Sequence, residues 1–363
     1  MNRRIFIATI TSVAIAVNLF TNYSNTAKAQ PTNGEKIKVG MVTDTGTIYD
    51  KSFNQSTWEG IQRAAKEFNL DSTYLKPREA TEEQFTLQIN NLIDSGYNLI
   101  VTPGIRFATS VFKEQEKNKN IKFIIVNATP KSESGKENVA SNTVSILFAE
   151  QEAGFLAAIA TSLQLKEGDI GFIGGLEIPA IQRYNWGFQQ GIKYANDNLG
   201  TKMELKPENI TYEGAFNNVD LGQKLAAEMY NRGVKVIFAA AGESGLGAMN
   251  EAKKRAFSGK EAWVVGSDID QYDFGKYLGN KSIVLTSAIR NISNATYDAI
   301  KDAIQGNFQG GKTLMYSIKN DGVGIPKENP NLSADTIKKV NEIYAKIKSG
   351  EIKISPEKNG SIK

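Results

Sequence analysis

The chain has 363 residues, of which 40% are hydrophobic and 23% charged, and its formal net charge is +4. Because domains typically hold about 100 to 200 residues, two domains are expected, and the ordinary composition excludes a disordered or fibrous chain. The sequence contains no Cys and no His, which excludes disulfides and thiolate metal sites and removes the commonest metal ligand and general base. An enzyme of this composition would depend on carboxylate, Lys or Tyr chemistry.

The N-terminus has the features of a secretory signal. Arg3 and Arg4 precede an apolar stretch over 5–20, and 27–29 has the small-x-small pattern of a cleavage site. Polar residues dilute the apolar stretch below what a membrane anchor requires, so we expect 1–29 to be cleaved and the protein to be exported. Loss of residues 1–29 removes three basic residues and no acidic one, which lowers the net charge from +4 to +1. That charge does not favour nucleic-acid binding, and without Cys no lipid anchor through a Cys is expected.

Strand and helix patterns alternate along the first half of the mature chain. In chain order, the expected elements are a strand over 37–42, a helix from 54, a strand over 72–75, a helix over 81–95, a strand over 98–102, a helix over 107–117, and strands over 122–126 and 143–148. Gly96 follows the second helix, where a helix C-terminus favours positive φ. This order of helix, Gly and strand is typical of a parallel α/β sheet.

A second alternating series follows. It comprises a helix over 151–163, a strand over 170–173, a helix over 180–199, a strand over 210–213, a helix over 218–231, a strand over 234–239, a helix over 245–257 and a strand over 262–265. A strand over 283–286, a helix over 291–306 and a strand over 314–317 are expected to return to the first sheet, before a last helix from Ser333 through 348.

These elements predict an α/β protein with two doubly wound parallel-sheet lobes joined by several strands. The N-terminal lobe is expected to hold 30–148 plus about 285–317. The C-terminal lobe is expected to hold 149–284 plus about 318–363.

Polar and aromatic residues follow most of the predicted strands, where ligands bind in open parallel sheets. These residues are Asp44, Phe53, Asn54, Asn127, Tyr184, Gly242, Glu243, Asp268 and Arg290. Carboxylates and amides suit hydroxyl groups, aromatic rings offer flat faces, and glycine lets a ligand approach the backbone. Each residue alone is also explained as a helix cap, a core anchor or a solvated side chain. Their joint position at the strand ends predicts a ligand cleft.

Several segments resemble the basic membrane protein family, the substrate-binding proteins of ABC importers, and are similar to its purine nucleoside receptors. They are Asp44 with Asp-Lys-Ser-Phe-Asn-Gln over 50–55, and the segments 101–104, 150–153, 171–175, 178–179, 240–242 and 266–271. The resemblance runs in order from about residue 38 to 290. The remaining C-terminal residues fit only in general pattern.

The resemblance implies a type I periplasmic-binding-protein fold that closes on a purine nucleoside, either adenosine, guanosine or inosine. The closed form would deliver the nucleoside to the membrane permease of an ABC importer. By position, Phe53 and Tyr184 would sandwich the base, Asn127 would read its edge, and Asp268 with the loop at Gly242 would hold the ribose.

Asp44 would lie close to this ligand. A binding protein of this kind needs no catalytic residue, cofactor or metal, and we expect a monomer.

The sequence departs from those nucleoside receptors at four points. The position of Tyr184 is usually Phe, that of Asn127 usually Asp and that of Arg290 usually Lys, and the lipid-attachment Cys is missing. Because an amide both donates and accepts, the hypothesis at Asn127 is a shift of base preference toward adenosine. The fork of Arg290 also differs in geometry from the ammonium of Lys.

Two other functions stay open. Carbohydrate sites also stack on aromatic rings, so a binding protein or sensor for ribose or another small carbohydrate is the first alternative. A nucleoside hydrolase is the second, and it would use clustered carboxylates, whereas Asp268 and Asp270 form a short-spaced, isolated pair. The expected mechanism is hinge closure of two lobes on the ligand.

Overall fold

The computed structural model describes residues 36–44 and 46–362, so the predicted signal over 1–29 lies outside the described residues. Its strands are β1 (Lys38–Val42), β2 (Asp71–Leu75), β3 (Leu99–Pro103), β4 (Lys122–Val126), β5 (Thr143–Phe148), β6 (Glu167–Gly174), β7 (Lys202–Tyr212), β8 (Val234–Ala240), β9 (Trp263–Asp268), β10 (Lys276–Leu278), β11 (Lys281–Ser282), β12 (Val284–Arg290), β13 (Lys312–Tyr316) and β14 (Val323–Gly324). Its α-helices are α1 (Phe53–Phe68), α2 (Glu82–Asp94), α3 (Ala108–Lys117), α4 (Glu150–Leu165), α5 (Pro179–Leu199), α6 (Val219–Asn231), α7 (Glu243–Phe257), α8 (Ile292–Ile304) and α9 (Ala334–Ser349).

Two six-stranded sheets with the same winding form two lobes. The first has the order β2-β1-β3-β4-β5-β13 and is parallel throughout. The second has the order β7-β6-β8-β9-β12-β14 and is parallel except for the antiparallel pair of β12 and β14. The order reverses at β1 and at β6, and ligands of such sheets bind beside these reversals. The predicted α/β class with two doubly wound lobes is confirmed.

The chain passes between the two sheets three times within 36–362. It leaves the first sheet after β5, returns after β12 through α8, which packs on α1, and leaves again after β13. Neighbouring crossings are tied by backbone hydrogen bonds, from Ala149 N to Tyr316 O at 2.8 Å and from Asn291 N to Gly322 O at 2.9 Å. These segments form the hinge side of the cleft.

One predicted strand joins the other sheet. The strand predicted over 283–286 was expected to return to the first sheet, but β12 pairs in parallel with β9 in the second. The expected lobe boundary near 285 is therefore wrong, and the crossing lies at Asn291. A strand buried at nearly every position carries no alternation that indicates which sheet it joins.

Small residues hold α4 and α5 of the second lobe close together. A Cβ added at Gly187 of α5 would lie 2.0 Å from the carbonyl oxygen of Gln151 in α4, and one at Gly154 would lie 2.4 Å from that of Tyr184. Thirteen of the sixteen residues of α4 are buried. This close approach places the start of α4 beside the cleft-facing turn of α5.

No helix in the part of the chain that the structure describes is long and apolar enough to cross a bilayer.

Candidate ligand cleft

A cavity of about 380 Å³ lies between the lobes at the carboxyl ends of the strands. This volume falls in the range of small-molecule sites, about 300 to 1,000 Å³. The structure brings eight of the nine predicted residues to its wall, with Glu243 as the exception. They are Asp44, Phe53, Asn54, Asn127, Tyr184, Gly242, Asp268 and Arg290.

Asp44 and Asn54 are linked to each other at the start of α1. Asp44 Oδ1 accepts from Gly46 N at 2.9 Å and from Asn54 Nδ2 at 3.0 Å, and Asn54 Oδ1 accepts from Asp44 N at 3.2 Å. Asp44 Oδ2 faces Gly104, where an added Cβ would lie 3.8 Å away. Asn54 therefore positions Asp44, whose second oxygen borders the cavity.

Asp50, which was predicted only as part of the family motif, holds the loop that precedes α1. The carboxylate accepts from the backbone nitrogens of Ser52, Asn54 and Gln55 at 2.8–3.0 Å. It is 3% exposed, and burial raises its pKa to about 6 although these hydrogen bonds oppose the shift. An Asp just before a helix start is a capping signal that sequence reading could have used.

Phe53 and Phe216 are the partly exposed aromatic residues that border the cavity, one from each lobe. Phe53 begins α1, and Phe216 lies in the loop between β7 and α6. The ring of Phe216 packs on Gly175, where an added Cβ would lie 2.2 Å from Cδ1. Sequence analysis did not predict Phe216 as a site residue. Edge strand β7 is rich in charged residues, so the sequence pattern does not show clearly where this strand ends and the following loop begins.

Tyr184 does not offer an open ring face. Its side chain is fully buried, and its ring packs on Phe238 with centroids 5.6 Å apart. The hydroxyl donates to Ala288 O at 3.1 Å and to Asp268 Oδ1 at 3.3 Å, and burial holds its pKa well above the ordinary value. In this conformation the ring of Tyr184 packs against the core, although the residue also borders the cavity, and its stacking on a base stays a prediction.

Asn127 follows β4 in a left-handed backbone conformation, with φ of +61°. Within the described residues, its buried Oδ1 atom has no hydrogen-bond partner. A buried polar atom without a partner costs free energy unless a ligand or water satisfies it. Asn127 Oδ1 is thus a buried acceptor that none of the described residues satisfies.

Asp268 and Arg290 form the centre of a buried ionic network. Arg290 donates to Asp268 Oδ1 from Nε at 2.8 Å and from Nη2 at 2.6 Å, and to Glu150 Oε1 from Nη1 at 3.1 Å. Arg183 Nε donates to Glu150 Oε2 at 2.7 Å. Glu150 was not predicted as a site residue, although it lies in the family segment over 150–153.

Arg290 also contacts the aromatic wall. Its guanidinium carbon lies 4.9 Å from the ring centroid of Phe53 and 5.4 Å from that of Tyr184. Burial is the largest single influence and would lower its pKa, but the charges of Asp268, Tyr184 and Glu150 together with the hydrogen bond to Asp268 outweigh burial and raise the pKa further. The cation is therefore a fixed part of the wall.

Several contacts join the lobes at the cleft entrance. Ser52 Oγ donates to Asp268 Oδ2 at 2.5 Å, and Gln271 Nε2 donates to the carbonyl oxygen of Lys51 at 2.8 Å. Glu243, predicted as a ligand residue, instead accepts from Thr47 Oγ1 at 3.0 Å. Glu243 starts α7 and its carboxylate turns to the opposite lobe, which places it at the entrance and outside the cavity wall.

The sequence of this chain matches a family model over residues 37–358, described as Bmp, the ABC transporter substrate-binding protein PnrA-like family. The chain belongs to the basic membrane protein family of ABC-transporter substrate-binding proteins. The resemblance drawn from the motifs is confirmed, and proteins of this family work outside the cytoplasm. The match covers both lobes and the C-terminal tail.

Named relatives agree with this placement. The "CD4+ T-cell-stimulating antigen" of Listeria monocytogenes is 34% identical over 329 residues, covering 88% of each chain. The "ABC transporter nucleoside-binding protein BmpA" of Lactococcus lactis subsp. cremoris is 33% identical over 304 residues, covering 81% of this chain and 82% of that protein. Among solved structures, an ABC transporter solute-binding protein from Aeropyrum pernix K1 superposes with a TM-score of 0.76 at 26% identity, over 89% of this chain and 94% of that one.

Proposed function

We propose that this member of the family captures a purine nucleoside between its lobes and hands it to the permease of an ABC importer. The observation that carries the proposal is the pair of partly exposed rings, Phe53 from one lobe and Phe216 from the other, that border one cavity. Stacking on an aromatic side chain contributes about 1 to 3 kcal/mol per base. A nucleoside-binding protein among the relatives supports the same ligand class.

Hydrogen-bonding groups suited to a nucleoside surround these rings. Asp44 Oδ2 and Asn127 Oδ1 are acceptors at the cavity wall, available to hydroxyl or amino donors. A carboxylate offers about four lone-pair sites, so Asp268 Oδ2 can accept a ribose hydroxyl beside Ser52. Gly242, with φ of +58°, lets a ligand come near the backbone.

The charges of the wall favour an uncharged ligand. Three guanidiniums border the cavity, from Arg106, Arg183 and Arg290. Four carboxyl groups border it too, from Asp44, Asp50, Glu137 and Asp268. With no surplus of cations to receive a phosphate, a nucleoside fits better than a nucleotide.

An equilibrium titration tests the proposal. Protein stripped of ligand by unfolding and refolding is titrated calorimetrically with adenosine, guanosine, inosine, adenine and ribose. At least one purine nucleoside should bind at least about 30-fold more tightly than ribose, because stacking on two rings adds about 2 kcal/mol or more. Equal affinity for ribose would instead support the carbohydrate-binding function, and release of free base would support a hydrolase.

Alanine variants locate the binding. Phe53→Ala and Phe216→Ala should each weaken nucleoside binding by about 10-fold to 100-fold. Phe257→Ala is the matched control, because Phe257 is 65% exposed and lies at the far end of α7. If both cleft variants bind nucleoside with wild-type affinity, Phe53 and Phe216 do not stack on the base.

We also infer that the protein is exported after cleavage behind Ala29. N-terminal sequencing of the exported protein should then begin at Gln30. A retained N-terminus would contradict the cleavage.

A further inference from the structure

Glu150 is a fully buried carboxylate that stands behind the cleft wall. It is the first residue of α4, its side chain is 0% exposed, and it does not border the cavity. Its two oxygens hold two different cations, Arg183 at 2.7 Å and Arg290 at 3.1 Å. Burying a carboxylate is unfavourable unless it is paired, so this position needs both partners.

The two cations differ in their exposure and in the number of hydrogen bonds that they make. Arg290 is 4% exposed and also binds Asp268 through two nitrogens. Arg183 is 23% exposed, borders the cavity, and uses Nε for its contact with Glu150. The positive charge next to the ligand is therefore balanced mainly by Glu150 at Arg183 and by Asp268 at Arg290.

A guanidinium beside a partly desolvated cavity is a good receptor for phosphate, because its planar fork donates two charge-assisted hydrogen bonds. Glu150 already supplies the anion that Arg183 needs. A phosphate entering the cleft would compete with this carboxylate and would also face the carboxyl groups of the wall. The ion pair of Glu150 with Arg183 thus disfavours the binding of phosphorylated ligands, although Glu150 does not contact the nucleoside.

We propose that Glu150 is a specificity-determining residue that makes the cleft select nucleosides against nucleoside monophosphates by occupying Arg183 and Arg290. This inference rests on the proposed nucleoside-binding function. It assigns Glu150 a role through the two arginines, since the carboxylate lies behind them and does not border the cavity.

The test compares wild type with Glu150→Gln, which keeps the shape of the side chain and removes its charge. Both proteins are titrated with the tightest-binding nucleoside and with its 5′-monophosphate. Wild type should strongly prefer the nucleoside, and the ratio of monophosphate Kd to nucleoside Kd should fall at least about tenfold in the variant.

Two further variants separate charge selection from a structural effect. Glu152→Gln changes a neighbouring carboxylate that accepts from Ile318 N at 2.7 Å and does not border the cavity, so its ratio should match wild type. Glu150→Gln combined with Arg183→Gln removes the released cation, and wild-type discrimination should return. Should Glu150→Gln fail to fold, Glu150→Asp keeps the charge but cannot reach both guanidiniums, and its ratio should fall in the same direction.

An unchanged ratio in a folded Glu150 variant that binds nucleoside overturns the inference and leaves the proposed function intact. An equal fall in Glu152→Gln also overturns it. If wild type binds no nucleoside at all, the proposed function fails and this inference fails with it.

Discussion

At the scale of single residues, Asn127 is the position where this cleft departs most clearly from the receptors it resembles. Its Oδ1 is buried without a partner among the described residues, and its amide can both donate and accept. Asn127→Asp should shift preference from adenosine toward guanosine by about tenfold, because a carboxylate only accepts. Paired titrations of both proteins with both nucleosides measure the shift, and an unchanged preference would contradict it.

Glu213, at the end of β7, predicts a pH-dependent stability. Burial raises its pKa from 4.5 to about 7, and Ser244 Oγ donates to it. The pKa of this carboxyl group is higher in the folded state than in the unfolded state. Above about pH 7 the buried charge therefore destabilises the folded state. This destabilisation is lost as the pH falls from about 7 to 4.5, because the folded state takes up a proton. Glu213→Gln should therefore be more stable than wild type at pH 8, and this difference should shrink as the pH falls to 5.

Urea unfolding of both proteins across pH 5 to 8 measures that difference. A difference that stays constant, or that grows as the pH falls, would contradict the role of Glu213.

Strand position in the sequence correctly placed Asp44, Asn127 and Asp268 at the cavity wall, while their contacts with a ligand stay predictions. Strand position did not indicate the burial of the Tyr184 ring, because distance from a strand end does not reveal which face of the helix a side chain occupies. Ile181, Tyr184 and Phe188 share helical spacing and are all buried, which is the signal of a core face. Phe216 carries no such pattern, since its exposure depends on how its loop packs on Gly175.

At the scale of elements, the packing of α4 against α5 sets the positions of Glu150 and Arg183. Gly187→Ala would place a methyl group 2.0 Å from the carbonyl oxygen of Gln151. We expect the free energy of unfolding to fall by about 1 to 3 kcal/mol, as for other overpacked cores. Chemical denaturation measures the change.

Gly245→Ala in α7 is the matched control for this prediction. Its added Cβ would lie 3.6 Å from the nearest atom, an ordinary contact. The substitution should leave stability unchanged or raise it by up to about 1 kcal/mol through helix propensity. Equal losses in both variants would contradict the packing argument.

Element prediction was strong because most strands and helices carry clear periodicity, and the bounds of β4 and β5 agree at both ends with those predicted. It was weak for β7, which begins at Lys202 and not near 210, because charged residues on this edge strand mask the apolar pattern. The short strands β10, β11 and β14 were missed, since two or three residues show no periodicity.

At the scale of the whole molecule, contacts at the cleft entrance join the lobes without requiring ligand atoms. Ser52 with Asp268 and Thr47 with Glu243 are hydrogen bonds from one lobe to the other. These bonds would break when the lobes separate about the three crossings, so they stabilise the closed form relative to an open one.

Thr47→Val keeps the shape of the side chain and removes the donor to Glu243. We expect ligand to dissociate about 2 to 10 times faster, the effect of losing one such hydrogen bond. Stopped-flow displacement measures the rate, and Thr313→Val, an exposed position on β13, should leave it unchanged. A wild-type rate in Thr47→Val would show that this contact does not hold the cleft closed.

The proposed ligand of the cleft is a purine nucleoside that stacks on Phe53 and Phe216. Mass spectrometry of small molecules released by denaturing the natively purified protein tests it most directly. We expect wild type to release a purine nucleoside and the double variant Phe53→Ala with Phe216→Ala to release none. Release of a free sugar without a base, or of the same nucleoside from the double variant, would contradict it.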